Sequence, residues 1–237
     1  MDSATEVANW LRIRLSAGQV AKLDLYAREL LSEGRRQNLT SLRDRDAIER
    51  RHFAESLVLL RALEDLGLLA SPLIDIGTGA GVPGLPIAIA RPDLRVTLLE
   101  ATGKKADFLR RTVALLELPN VSVVQGRAEE IAHDPQRREA YPLALARAVA
   151  PLRTLVELAL PFVTAGGALA TPKGSSALRE VEQAATALRE LHASVEAVQP
   201  LKLPVPGPTP TLVVVRKHAP TPARYPRRTG VPGKRPL

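Results

Sequence analysis

The chain has 237 residues, 45% of them apolar and 3% aromatic, enough for one large domain or one domain with an appended subdomain, and it lacks the eighteen-residue apolar run of a membrane span. It has no cysteine, which excludes disulfides, thiolate metal sites and a cysteine nucleophile and suits a reducing, cytoplasmic setting; the opening "MDSATEVANWLRIRL" also lacks the apolar stretch of a secretory signal. The formal net charge of +8 sits wholly beyond Glu196, where eight basic residues meet no acid, so a polyanionic partner is expected, nucleic acid ahead of membrane.

Residues 1–70 read as a helical subdomain. Ser16 and Gln19 form a capping box, and Val20, Leu23, Ala27, Leu30 and Leu31 repeat at helical spacing until Gly34. A polar connector, "RRQNLTSLRDRD", leads to a second helical pattern from about Ala47 to Leu66, closed by Gly67. From Ser71 short apolar runs alternate with helices. Strands are predicted at Leu73–Ile76, Arg95–Leu99, Val121–Val124, Leu143–Ala146 and Ala168–Thr171, with helices near 83–90, 104–117, 151–162 and 176–191. Such alternation predicts an α/β fold with a mostly parallel sheet covered by helices on both faces. Ser194–Val198 and Thr211–Lys217, joined by the proline-rich "QPLKLPVPGPTP", predict an antiparallel hairpin at the sheet edge. Residues 71–217 thus form the main domain. Residues 218–237, with five prolines, form a basic tail that is extended and mobile unless it docks.

The chemistry concentrates in "LIDIGTGAGVPGLPIA", residues 73–88. Gly77, Gly79 and Gly81 follow a strand and precede a helix opened by Pro83, so backbone can approach a ligand closely. Glu100, at the end of the second strand, stands where a carboxylate accepts hydrogen bonds from both ribose hydroxyls of an adenosine. These features alone fit a dinucleotide or S-adenosylmethionine. Asp75 separates the two, because a carboxylate opposes a pyrophosphate and favours an ammonium and a sulfonium. Ala128 and Glu129, in "VVQGRAEE", fall at the end of the third strand, where an adenine edge would lie.

Here the sequence resembles the RsmG (GidB) family, the bacterial small-subunit rRNA guanine-N7 methyltransferases. The resemblance rests on "NLTSLRDRD" (38–46), "RHFAESL" (51–57), "LIDIGTGAGVPGLPIAIARP" (73–92), "KKADFL" (104–109), "GRAEE" (126–130), "ARAVAPL" (146–152) and "PKG" (172–174). It implies a Rossmann-like class I methyltransferase fold with a seven-stranded sheet, and methylation by S-adenosylmethionine of N7 of a guanosine in the 530 loop of 16S rRNA. It also implies cofactor contacts at Gly77, Gly79, Val82, Glu100, Ala101, Ala128, Glu129 and Arg147. The family usually has Asp-Ser where this chain has Glu55-Ser56, and a Trp-Asn pair where this chain has Gly34-Arg35-Arg36-Gln37.

Guanine N7 carries an exposed lone pair, so the reaction is a positioning problem and no dedicated general base is expected. Arg147, at the end of the fourth strand, is expected to orient the base or brace the cofactor. Arg43, His52, Lys104, Lys105 and Lys173 are the expected RNA contacts in the body, joined by Arg224, Arg227, Arg228, Lys234 and Arg235 in the tail. The expected partner is 16S rRNA or the small ribosomal subunit, with no metal, no membrane and a monomeric state. Two readings from other classes compete: an NAD-dependent dehydrogenase, and a non-catalytic RNA-binding or ribosome-assembly factor on a methyltransferase fold. A small-molecule methyltransferase is a weaker third, since it leaves the tail without a task.

Overall fold

Short apolar runs, buried on both faces at the centre, build seven strands into one sheet in the computed structural model, which describes residues 2–37, 39, 42, 44–203 and 208–237. The strands are β1 (Leu73–Ile76), β2 (Val96–Glu100), β3 (Val121–Gln125), β4 (Tyr141–Leu145), β5 (Val163–Lys173), β6 (Ala193–Pro200) and β7 (Thr211–Lys217), in the order β3-β2-β1-β4-β5-β7-β6. The first five run parallel, and β7 pairs antiparallel with both β5 and β6. This is the mostly parallel sheet with an antiparallel edge hairpin that the sequence predicts. Strand order reverses between β1 and β4, and that switch point is where an open α/β sheet binds its ligand, outside the carboxyl ends.

Each sheet face buries one apolar set. Leu73, Leu98, Leu143, Leu145 and Val214 share a core with α1 (Asp2–Trp10), α2 (Ala17–Gln37), α4 (Glu55–Asp65), α5 (Gly84–Ala90) and α6 (Gly103–Leu115). Ile74, Ile76, Leu99, Leu169 and Val213 pack against α8 (Leu152–Ala159), α9 (Ala177–Gln183) and α10 (Ala185–Glu190). The N-terminal helices therefore belong to the core of one sheet face.

Several boundaries differ from the sequence expectation. The capping box forms, with Gln19 Oε1 accepting from the Ser16 amide at 2.7 Å and Ser16 Oγ from the Gln19 amide at 3.3 Å. Yet α2 runs through Gly34 to Gln37, because a mid-helix glycine costs only ~1 kcal/mol against alanine, less than the buried Leu23, Tyr26 and Leu30 stripe contributes. The helix expected over 47–66 is three pieces: α3 (Arg45–Ile48), a π-helical turn over Glu49–Ala54, and α4. β5 extends beyond the expected Ala168–Thr171 at both ends, upstream through Gly166 and Gly167 to Val163. A Cβ at Gly167 would lie 2.7 Å from the Pro142 carbonyl oxygen, so glycine there permits close strand approach.

Residues 218–237 dock on the body, on the side of α8. Tyr225 and Pro232 are buried, and α11 (Val231–Lys234) closes the segment. Another four-residue helix, α7 (Ala128–Ile131), follows β3.

Candidate functional site

The carboxyl ends of β1, β2, β3 and β4 bring Gly77–Gly81, Glu100–Ala101, Ala128–Glu129 and Arg147 to one edge of the sheet. Alternation decides which side chains share a face. Asp75 is level with Leu98 on β2 and Leu145 on β4, so Asp75, Glu100 and Arg147 all project on the face covered by the N-terminal helices.

Asp75 is fully buried beneath the glycine loop. Its Oδ2 accepts from Thr78 Oγ1 at 2.6 Å and from the Gly84 amide at 2.9 Å, tying both ends of the loop to β1. Its Oδ1 is buried and, among the described residues, meets no donor. Burial raises its pKa from 3.8 to about 7 against the opposing pull of the Thr78 hydroxyl, the Gly84 amide and Arg147. Glu100, also buried, accepts from the Gly79 amide at 3.0 Å and the Thr102 amide at 2.8 Å. Both carboxylates are thus held by neutral donors. Gly77 and Gly79 adopt left-handed φ of +64° and +62°. A Cβ at Gly77 would sit 2.9 Å from Val149, whereas beyond Gly79 the nearest atom is 3.9 Å away, so space remains over the loop. Gly81 serves packing instead, since its Cβ would meet Leu85 at 2.5 Å and Leu109 at 3.0 Å. Val82 is buried beside it, and Ala101 is exposed just past β2. An orphaned anionic oxygen under open glycines fits a cationic adenosine-bearing ligand better than a pyrophosphate.

Arg147 sits where the two layers meet. Its Nη2 lies 2.8 Å from Glu55 Oε2 and its Nη1 lies 3.4 Å from His52 Nδ1. Glu55 Oε1 is 3.1 Å from Arg51 Nε. The π-helical turn presents Arg51 and His52 immediately before Glu55, a local geometry often found at functional sites. Burial lowers the Arg147 pKa, raises that of Glu55, and takes His52 down to about 4, so His52 is neutral at pH 7. Glu55 therefore acts as an ion-pair partner of Arg147, and the extra methylene relative to aspartate spans the gap to β4. A cleft of about 850 Å³ opens beside this group, between Arg147, Val149 and Pro151 on one side and Pro172, Lys173 and Pro210 on the other.

The basic residues singled out in the sequence fall into three groups. Lys104 is exposed and Lys105 half-buried on the first turn of α6, next to Glu100. Lys173 lines the cleft, but its Nζ donates to the Ala150 carbonyl at 2.7 Å and pairs with Glu180 at 3.0 Å, which leaves its side chain only 9% exposed. Arg43 lies outside the described residues. In the tail, Arg227 forms a two-pronged pair with the fully buried Glu157 at 2.8 and 2.7 Å, and Arg224 pairs with Glu190 at 2.6 Å. Arg228, Lys234 and Arg235 are exposed. Two tail arginines are thus paired within the chain, Arg227 on a buried carboxylate and Arg224 on a partly exposed one.

Sequence patterning missed three members. Tyr26 is fully buried, stacks on Phe53 at 5.4 Å and donates from its hydroxyl to the Ala80 carbonyl at 2.6 Å, pinning the glycine loop from α2. Thr78, between the glycines, is the hydroxyl that donates to Asp75. Glu157 lies on a helix whose other inward residues, Thr154 apart, are apolar, and an acid on such a face is the signal that would have pointed to a buried partner. Among the described residues no cluster of three His, Cys, Asp or Glu could hold a metal, and no helix is long and apolar enough to cross a membrane.

Comparison with known proteins places this geometry. A family model described as "GidB: rRNA small subunit methyltransferase G" matches residues 19–205. The chain is 46% identical to the ribosomal RNA small subunit methyltransferase G of Roseiflexus castenholzii over the full length of both chains. It is 47% identical to that of Chloroflexus aggregans over 225 residues, 95% of this chain and 93% of the relative. In architecture it is similar to the crystal structure of precorrin-6y C5,15-methyltransferase from Geobacter metallireducens, with a TM-score of 0.50 at 17% identity, covering 69% of this chain and 87% of the other.

Proposed function

This chain belongs to the GidB family of rRNA small subunit methyltransferase G, and on that premise we propose that it methylates N7 of a guanosine in the 530 loop of 16S rRNA. The observation that carries the proposal is the pair of carboxylates, Asp75 and Glu100, held by neutral donors on one sheet face beside the cleft that Arg147 lines. S-adenosylmethionine, when bound, supplies an activated methyl on a sulfonium centre. Glu100 would hold its ribose, Gly77, Gly79, Val82 and Ala101 its flank, and Ala128 and Glu129 its adenine side. Asp75 acts from beneath: its buried charge favours a cation over the loop while its hydrogen bonds keep the loop shaped.

The base needs no deprotonation, so the residues at the cleft only have to hold it in line. Arg147 is fixed by Glu55 and His52, and its remaining N–H donors suit the O6 of a guanine or a phosphate. Lys104 and Lys105 on one side, and Arg228, Lys234 and Arg235 on the other, supply exposed positive charge for the RNA backbone. Within this reading the helices of 1–70 cover the groove, residues 71–217 hold cofactor and base, and residues 218–237 complete the body. The protein works as a monomer in the cytoplasm without a metal.

The test is incubation of purified protein and labelled S-adenosylmethionine with unmodified small subunits and with naked rRNA, followed by mapping of N7-methylguanosine. Label at a single guanosine of the 530 loop is expected. Cofactor binding without incorporation into either substrate would overturn the proposal in favour of an assembly role.

A further inference from the structure

We propose that residues 218–237 are a positioning element for the cofactor groove, bracing α7 from outside so that Glu129 is held at the carboxyl end of β3. The proposal rests on the assignment of Ala128–Glu129 to the cofactor.

On its own α7 has little to hold it. It is four residues long, its N-cap residue Arg127 makes no side-chain cap, and none of its residues is fully buried. A single helical turn of that kind is unstable without outside support. The support comes from the far end of the sequence. The Gly230 amide donates to Glu129 Oε1 at 3.0 Å, and Thr229 Oγ1 donates to Glu130 Oε1 at 2.9 Å. His133 Nε2 lies 3.0 Å from the Pro226 carbonyl oxygen. Arg138 ties both partners together, donating to the Ala132 carbonyl at 3.2 Å and to the Tyr225 and Thr221 carbonyls at 2.9 Å.

The brace is itself anchored in the core. Arg227 places its amide and both arms of its guanidinium on Glu157, at 2.9, 2.8 and 2.7 Å, and Glu157 is fully buried on α8. Arg227 also donates to the Arg235 carbonyl at 2.8 Å, closing the segment on itself. Three residues after that anchor, Gly230 takes φ +82°, a conformation glycine adopts at no cost and which aims its N–H at Glu129. A line of contacts therefore runs from a buried carboxylate on α8 to Glu129, the carboxylate assigned to the adenine side of the cofactor.

Truncation after His218 is the direct test, but it also uncovers core. The double variant E157M/R227M removes both charges, fills similar volume and keeps the fold, as paired replacement of a buried ion pair usually does. In the full-length double variant, calorimetry is expected to show roughly tenfold weaker S-adenosylmethionine binding, the scale set by losing the support of a contacting residue. Amide exchange over residues 126–133 should quicken, and KM for rRNA should stay within about twofold. A folded double variant with unchanged cofactor affinity would overturn the brace, as would a raised KM for rRNA alone, which would make the segment an RNA contact. A wild-type protein that binds no S-adenosylmethionine would instead overturn the cofactor assignment itself.

Discussion

The glycine loop and the surroundings of the C-terminal segment both revolve around carboxylates, and they satisfy them in opposite ways. At the loop, Asp75 and Glu100 are held by a hydroxyl and by backbone amides, so their charge is shaped but not cancelled. Around the C-terminal segment, the buried Glu157 takes Arg227, the partly exposed Glu190 takes Arg224, and Glu139 takes the fully buried Lys217 just before it. One region keeps negative potential in reserve for a cationic ligand; the other consumes its charge as internal struts. The net charge of +8 carried beyond Glu196, five units of it in residues 218–237, therefore overstates what that region offers to RNA.

The largest expected effect breaks this comparison by pH. Burial lifts Asp75 to about 7 in the folded chain from 3.8 unfolded, so between those values the native state keeps a proton that the unfolded chain has lost. Stability must fall as pH rises through that window, by on the order of 4 kcal/mol. His52 runs the other way. It is held near 4 in the fold against 6.5 unfolded, so the native state is neutral where the unfolded chain is charged, and stability rises from about pH 4 to 6.5 by on the order of 3 kcal/mol. The two slopes oppose each other over most of the acidic range. Asp75→Asn should remove the fall and His52→Gln the rise, read as urea midpoints in half-unit steps from about pH 4 to 8. Parallel pH profiles in the two variants would deny the loop its uncompensated carboxylate.

Next in size is the strut. Glu157→Ala leaves Arg227 facing a buried gap with no anion and should cost ~3 kcal/mol in the denaturant midpoint. The control is Glu190→Ala on α10, where the pair with Arg224 is solvent-exposed and a much smaller change is expected. Equal losses from both would mean that burial does not rank these ion pairs.

The same contrast explains what was readable in the sequence. Every partner that shapes the glycine loop from within is near in the chain: Thr78 and Gly84 for Asp75, Gly79 and Thr102 for Glu100. Local spacing carries that information, so β1, the loop and the place of Glu100 at the end of β2 were legible. The tail's partners are 70 and 101 residues away, Glu157 for Arg227 and Glu129 for Gly230. Composition alone describes such a segment as a basic, proline-rich strand in solvent, because nothing local says that its arginines are already matched. Tyr26 is the intermediate case. Its place on the apolar stripe of α2 was visible, but its hydroxyl meets Ala80 across 54 residues. The π-helical turn lay hidden because Ala47–Leu66 keeps helical periodicity on average, and only the demand that Glu55 meet Arg147 reveals the extra residue per turn.

A sharper probe of the loop is Glu100→Ala. The two amides it accepts lose a charged acceptor, and any ribose lost with it removes hydrogen bonds worth ~1.5–3 kcal/mol each to a charged group. Cofactor affinity should fall by at least ~2 kcal/mol in calorimetry, while the urea midpoint moves less, since Gly79 and Thr102 lie at the groove edge and water can replace the carboxylate. A midpoint loss larger than the affinity loss would make Glu100 a loop strut like Asp75.

The smallest effect concerns the charge that the tail still exposes. Arg228, Lys234 and Arg235 have exposed side chains, whereas Arg224 and Arg227 are paired. If internal pairing sets what RNA can use, each of the first three contributes about one unit to the slope of log affinity against log salt, and each of the paired two contributes less. The triple variant R228A/K234A/R235A should lower the slope for rRNA binding by roughly 3, and Arg224→Ala by well under 1. Filter binding across a salt series separates them. A slope that drops equally for paired and unpaired positions would mean that RNA competes the struts open on binding; the C-terminal segment would then exchange its carboxylate partners for phosphates.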